Sequence, residues 1–194
     1  MRHLKSVGIF CCFLLFSAAH SGHATPASVV QLSDGVTYAD FSGDGQKGLI
    51  IKARRENFNA HGFDVISFYI QSPPIDGGTS VWNIVPVFTG NKEMLELTVS
   101  GGADCVLHDF RLIKSEPGKA SRLIIANRKI RESYFEESSV TFEYYTLNKN
   151  SEGAVGAPRY YFKKTSTSKA KGKYCDVGDA FMKELGLGAY GKNP

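Results

Sequence analysis

The chain has 194 residues, 42% of them hydrophobic and 22% charged, with 23 Lys+Arg against 19 Asp+Glu. That length suits one domain with a substantial core. The basic excess is too small to suggest nucleic acid as a partner.

Residues 1–24, MRHLKSVGIFCCFLLFSAAHSGHA, have the layout of a secretory signal. Arg2 and Lys5 precede an apolar run from Val7 to Phe16, and Gly22 and Ala24 occupy the small-residue positions of a cleavage site after Ala24. The apolar run is shorter than the roughly 20 residues a membrane span needs, and no later segment approaches that length. The expectation is an exported chain, placed in a bacterial periplasm, with residues 25–194 as a single β-rich domain. The signal holds two basic and no acidic residues, so the remainder carries about +2.

Past the signal, period-two patterning dominates. Strands are expected at Thr37 to Asp40 and Gly48 to Ala53, then across FDVISFYIQ, where Ile66, Phe68 and Ile70 share a face. Val81 to Phe88 follows, with Pro86 marking an edge or an early end because it has no amide proton. EMLELTVS places Leu95, Leu97 and Val99 on one face. Cys105 to Lys114, Arg122 to Asn127, VTFEYYTL (with Val140, Phe142 and Tyr144 together) and Arg159 to Lys164 complete the set. Turn signals SPPIDGG, TGNK, SGGAD, EPGK and NKNSEG separate the runs. KKTSTSKAKGK, 163–173, has no residue suited to burial and is expected to be a mobile basic loop. Near the end, Asp176 caps a short helix carrying Val177, Phe181 and Leu185 on one face, and Gly186 stops it. The fold class is all-β, an antiparallel β-sandwich or sheet stack with a short C-terminal helix. Exposed sheet edges would permit a homodimer.

Two cysteines follow the signal, Cys105 and Cys175. In an oxidising compartment they are expected to pair, closing a loop of about 71 residues worth roughly 4 kcal/mol in the chain-entropy treatment.

DFSGDGQKGLIIK, 40–52, begins like a calcium loop, with Asp40, Ser42, Asp44 and Gly45 at its spacing. Gly48 and Ile51 then stand where the later oxygen ligands belong, so Asp40 and Asp44 are the only firm donors. The run is a turn feeding a strand, a relic of such a loop, and no metal or other cofactor is expected. A zinc hydrolase would need three protein ligands; only His61 and His108 follow the signal, and His108 shares a strand face with Val106, Phe110 and Leu112, as a hydrogen-bonded core histidine. Ser166 to Lys169 matches S-x-x-K but lacks the partner motif and the helix turn that such chemistry requires. The chain is therefore expected not to be an enzyme. The candidate binding cluster is ARRENFNAHGFDV, where Arg54, Arg55, Glu56, Asn57, Asn59 and His61 crowd the connection between two apolar strands. Arginine forks and asparagine amides suit an anionic ligand or a partner surface.

The block LSDGVTYADFSGDGQKGLIIKARRENFNAHGFDVISFYI, 32–70, resembles the CarG-type carbapenem intrinsic-resistance proteins, RENFNAHGFDV being its most distinctive part. The resemblance implies a periplasmic protein that protects its host from carbapenems without hydrolysing them, by binding either the drug or a cell-wall synthesis protein. Two other classes stay open. One is a β-sheet binding module for a glycan or an extracellular protein, such as an inhibitor of a wall-degrading enzyme, with Tyr144, Tyr145, Tyr160 and Tyr161 as stacking faces. The other is an uncharacterised hydrolase.

Overall fold

The computed structural model describes residues 28–74, 77–101, 105–114 and 118–189. The proposed signal, 1–24, and parts of the SPPIDGG, SGGAD and EPGK turns lie outside them. The described elements are β1 (Gly35–Ala39), β2 (Gly48–Arg55), β3 (Phe63–Ser72), β4 (Val81–Ile84), β5 (Val87–Thr89), β6 (Lys92–Met94), β7 (Leu97–Gly101), β8 (Val106–Ile113), β9 (Arg122–Arg128), β10 (Ser138–Lys149), β11 (Tyr160–Tyr174) and α1 (Val177–Leu185). The strands form one sheet in the order β1-β2-β3-β7-β8-β9-β10-β11-β5-β6, and β4 pairs on β3 beside that path. The chain is all-β with one short C-terminal helix. Its ladders are antiparallel except β5 on β11, which is parallel.

The sheet curls until its apolar face packs on itself. Period-two burial puts Ile66, Phe68 and Ile70 of β3 inside, at 1% exposure or less, as their spacing predicts. They meet Phe110 and Leu112 of β8, Leu123 and Ile125 of β9, Tyr145 of β10 and Phe162 of β11 in one central cluster. Phe68 stands edge-on to Phe162 at 5.5 Å and to Phe110 at 5.9 Å, so strands far apart in the order face each other across the core. The stretch 81–89 ties this curl together. It pairs with β3 as β4, breaks at Val85–Pro86, and pairs with β11 as β5. The Val85 amide donates to Phe68 O and the Pro86 carbonyl accepts from Phe162 N, each at 2.8 Å. Pro86 thus stops one ladder, as its missing donor requires, and its carbonyl starts the next.

A second apolar cluster lies on the helix side. Ile124, Ala126, Val140 and Phe142 pack there against Val177, Ala180 and Phe181 of α1. Asp176 caps α1, accepting from Gly178 N, and Gly186 ends it in the left-handed conformation at φ 66°. The disulfide joins Cys105 to Cys175, one residue before that cap, with Cα atoms 5.5 Å apart. Beneath the helix Arg111, 1% exposed, meets Asp109 at 2.5 Å, donates to Gly188 O at 2.7 Å and lies 4.4 Å from the Phe181 ring centroid.

Four expectations need correction. Residues 163–173 are not a loop: they belong to β11, paired with β10 from Tyr160 to Tyr174. Backbone hydrogen bonds hold this stretch, so it needs no apolar face, and Glu184 of α1 accepts from the Lys171 and Gly172 amides at 3.0 Å each. EMLELTVS is not one strand. It breaks between β6 and β7, leaving Leu95 51% exposed while Leu97 is buried. Tyr144 packs with Val140 and Phe142 in the helix-side cluster, as its spacing predicts. Val106 leaves the side of Phe110 and Leu112: it packs in the helix-side cluster, beyond a register shift at Ser100/Gly101. Of the four tyrosines offered as stacking faces, Tyr145 and Tyr160 are core residues, 1% and 2% exposed. Burial first, and then the hydrogen bond it donates to Glu143, pushes the Tyr145 phenol up to about 12 against a lowering by its bond with Thr89.

Candidate functional site

The β2–β3 connection is a self-bonded turn. Glu56 Oε1 accepts from Phe58 N at 2.7 Å, Asn59 Oδ1 accepts from His61 N at 2.8 Å, and the Asn57 amide donates to His61 O at 2.8 Å. Arg54 pairs with Asp64 at 3.3 Å, and the Arg55 guanidinium lies 5.4 Å from the Phe63 ring centroid. Five of the six residues picked from sequence therefore serve the turn and its flanking strands. His61 differs. Its ring lies 5.8 Å from Tyr134, on the β9–β10 connection.

That contact roofs a hollow of about 480 Å³ lined by His61, Ser100, His108, Asn127, Arg128 and Tyr134, with Leu107 and Ile130 as its apolar wall. The floor comes from three adjacent strands: Ser100 on β7 lies opposite His108 on β8, which lies opposite Asn127 on β9. His108 Nδ1 is hydrogen-bonded to Asn127 Oδ1. The histidine is half-buried, bonded as expected but facing a cavity. Arg128 holds the roof in place by donating to the carbonyls of Glu136 and Tyr134. It is 5% exposed, its Nε has no hydrogen-bond partner, and no carboxylate among the described residues pairs with it. No Asp or Glu lines the hollow, so its electrostatics favour an anion.

A family model described as "Carbapenem resistance protein CarG-like" matches residues 32–183. The chain belongs to the CarG-like family. Among solved structures it is similar to one titled "Crystal structure of CarG", at 25% identity and a TM-score of 0.67, covering 80% of this chain and 94% of that one. No curated protein matches it.

Two other motifs of this CarG-like chain take structural parts. In the Asp40 loop the carboxylates meet the loop's own donors: Asp40 accepts from the Gly43 and Gly45 amides at 2.8 and 2.9 Å, and Asp44 from Ser42 Oγ at 2.6 Å. Lys149 and the Tyr160 hydroxyl reach Asp44 Oδ2 at 3.1 and 3.3 Å. Burial raises the Asp44 carboxyl, but the bonds from Ser42, Lys149 and the Gln46 amide outweigh it and hold the group below its ordinary value. Gly43 is required here: at φ +74°, a Cβ would lie 2.2 Å from Lys119 O. The turn is thus locked onto the segment beyond β8. Ser166 and Lys169 sit three apart on β11, which points their side chains to opposite faces, so S-x-x-K forms no nucleophile–base pair. Ser100, Asn127 and Arg128 escaped sequence reading because strand register alone brings them to the histidines, and Tyr134 because it reaches His61 from the β9–β10 connection.

Proposed function

We propose that this CarG-like protein is exported to the periplasm and protects its host from carbapenem β-lactams by binding the drug without hydrolysing it. The observation that carries this reading is Arg128, a buried guanidinium bonded only to carbonyls beside a hollow free of acidic side chains. Burying an unmatched charge is unfavourable by several kcal/mol, and an anionic ligand in the hollow would offset part of that. A carbapenem presents one carboxylate on a compact apolar bicycle. The cavity is within the range of about 300–1,000 Å³ common for small-molecule sites, and the histidines, Ser100 and Tyr134 supply the few convergent polar groups such sites use. The family description supplies the drug class.

A second reading, in which the bound partner is a cell-wall synthesis protein, draws on the two connections that carry His61 and Tyr134. Phe58 is 96% exposed with φ 54°, an uncommon backbone state for a bulky residue, and Phe135 is 68% exposed. The test is the carbapenem inhibitory concentration of a susceptible Gram-negative host with and without the protein in its periplasm. A rise, with intact drug recovered from the medium, supports the proposal. An unchanged value, with the protein folded and exported, contradicts it. Protection that survives loss of drug binding and vanishes with Phe58→Ser would favour the protein partner.

A further inference from the structure

One polar row crosses the sheet at the hollow's floor: Ser100, His108, Asn127 and Thr141 are successive cross-strand partners on β7, β8, β9 and β10. Residues directly opposite each other share a face, with Cβ atoms about 4.5–5.5 Å apart. The Ser100 hydroxyl makes no hydrogen bond among the described residues. His108 Nδ1 is bonded to Asn127 Oδ1, and an amide oxygen only accepts, so the neutral ring carries its proton on Nδ1 and leaves Nε2 as a base. Hydroxyl, imidazole and orienting amide oxygen, in that order, are the parts of an acyl-transfer site.

We propose that Ser100 captures the β-lactam covalently, an inference that rests on drug binding in this hollow. Ser100 Oγ attacks the β-lactam carbonyl carbon and an ester C–O bond forms. The strained amide C–N bond breaks, and the hydroxyl proton passes through His108 Nε2 to the departing ring nitrogen. No water, metal or redox partner is consumed, and the protein gains the whole mass of the drug. Asn127 is a positioning residue: it fixes the imidazole through His108 Nδ1. Capture of one drug per chain is protection without turnover, which accords with the non-hydrolytic reading.

The test uses the purified full-length mature chain, disulfide intact, incubated with excess imipenem at neutral pH and read by intact mass and peptide mapping. The expected result is a single adduct of the full drug mass on the peptide bearing Ser100. Ser100→Ala should lose the adduct, and Ser100→Cys should restore an adduct as a thioester. General-base assistance contributes about 10²–10⁴-fold, so His108→Ala should slow acylation at least 100-fold. Asn127→Ala should slow it at least tenfold while the concentration for half-saturation of the initial complex stays within threefold. Drug bound without mass gain, or an adduct that persists in Ser100→Ala, overturns covalent capture and leaves the binding reading standing. Failure to bind imipenem overturns both.

Discussion

Removing the Cys105–Cys175 disulfide should destabilise the protein by about 4 kcal/mol. The bond spans a sequence separation of 70, and closing a loop of that size removes roughly 15 cal/mol/K of entropy from the unfolded chain, about 4 kcal/mol at 25 °C. The native state should change little, because other contacts already fix the same junction. Asp176, next to Cys175, accepts from Val106 N at 3.0 Å and from Gly178 N at 2.6 Å, and Val177, Ala180 and Phe181 are fully buried beneath the helix. The effect therefore falls on the unfolded ensemble. In urea, Cys105→Ala/Cys175→Ala should lose about 4 kcal/mol with a larger denaturant slope, since an uncrosslinked chain exposes more surface. Its Tm should fall by about 8–16 °C, at about 2–4 °C per kcal/mol for a chain of this size. Alanine avoids placing an unsatisfied hydroxyl at Cys105, which is 3% exposed. A loss under 1 kcal/mol would refute the loop-entropy account. So would rapid amide exchange confined to α1 in the variant, which would mean that the bond holds the helix down in the native state.

Phe181→Ala should cost about 3–5 kcal/mol in the same assay, since the ring is fully buried, 5.5 Å from Phe142 and 4.4 Å from Arg111; a cost below 1 kcal/mol would mean that the helix can collapse into the space. The Asp44 carboxyl, held below its ordinary value of 3.8, contributes stability that is present above the unfolded carboxyl's titration and lost as pH falls through the lower folded value. Lys149→Gln should move the Asp44 titration, followed by carboxyl NMR, upward toward 3.8, while changing stability by less than about 1 kcal/mol because the pair is exposed.

Alternation made the core legible wherever a strand keeps its register. Ile66, Phe68 and Ile70 sit where period two puts them, and α1 begins at Asp176 and ends at Gly186 as its capping chemistry demands. A break defeated the same rule at Leu95 and a bulge at Val106, because an inserted residue reverses every side chain beyond it. The 163–173 stretch was misjudged for a different reason: solvated Lys, Ser and Thr carry no hydrophobic signal, while Thr pairs readily in a strand and β10 supplies the ladder. At the site, His61 stood out by its neighbours, and the other five residues of that cluster did not reach the hollow. The floor of Ser100, His108 and Asn127 spans 28 positions of sequence and three strands, a juxtaposition that only pairing register defines.

The central claim is that the hollow takes an anionic carbapenem through its carboxylate. Calorimetric titration of the purified Ser100→Ala protein with imipenem and with its carboxyl methyl ester isolates that contact from any covalent step. The account predicts one saturable site for the acid and at least tenfold weaker binding of the ester. Equal affinity for acid and ester, or no heat from either, would contradict it.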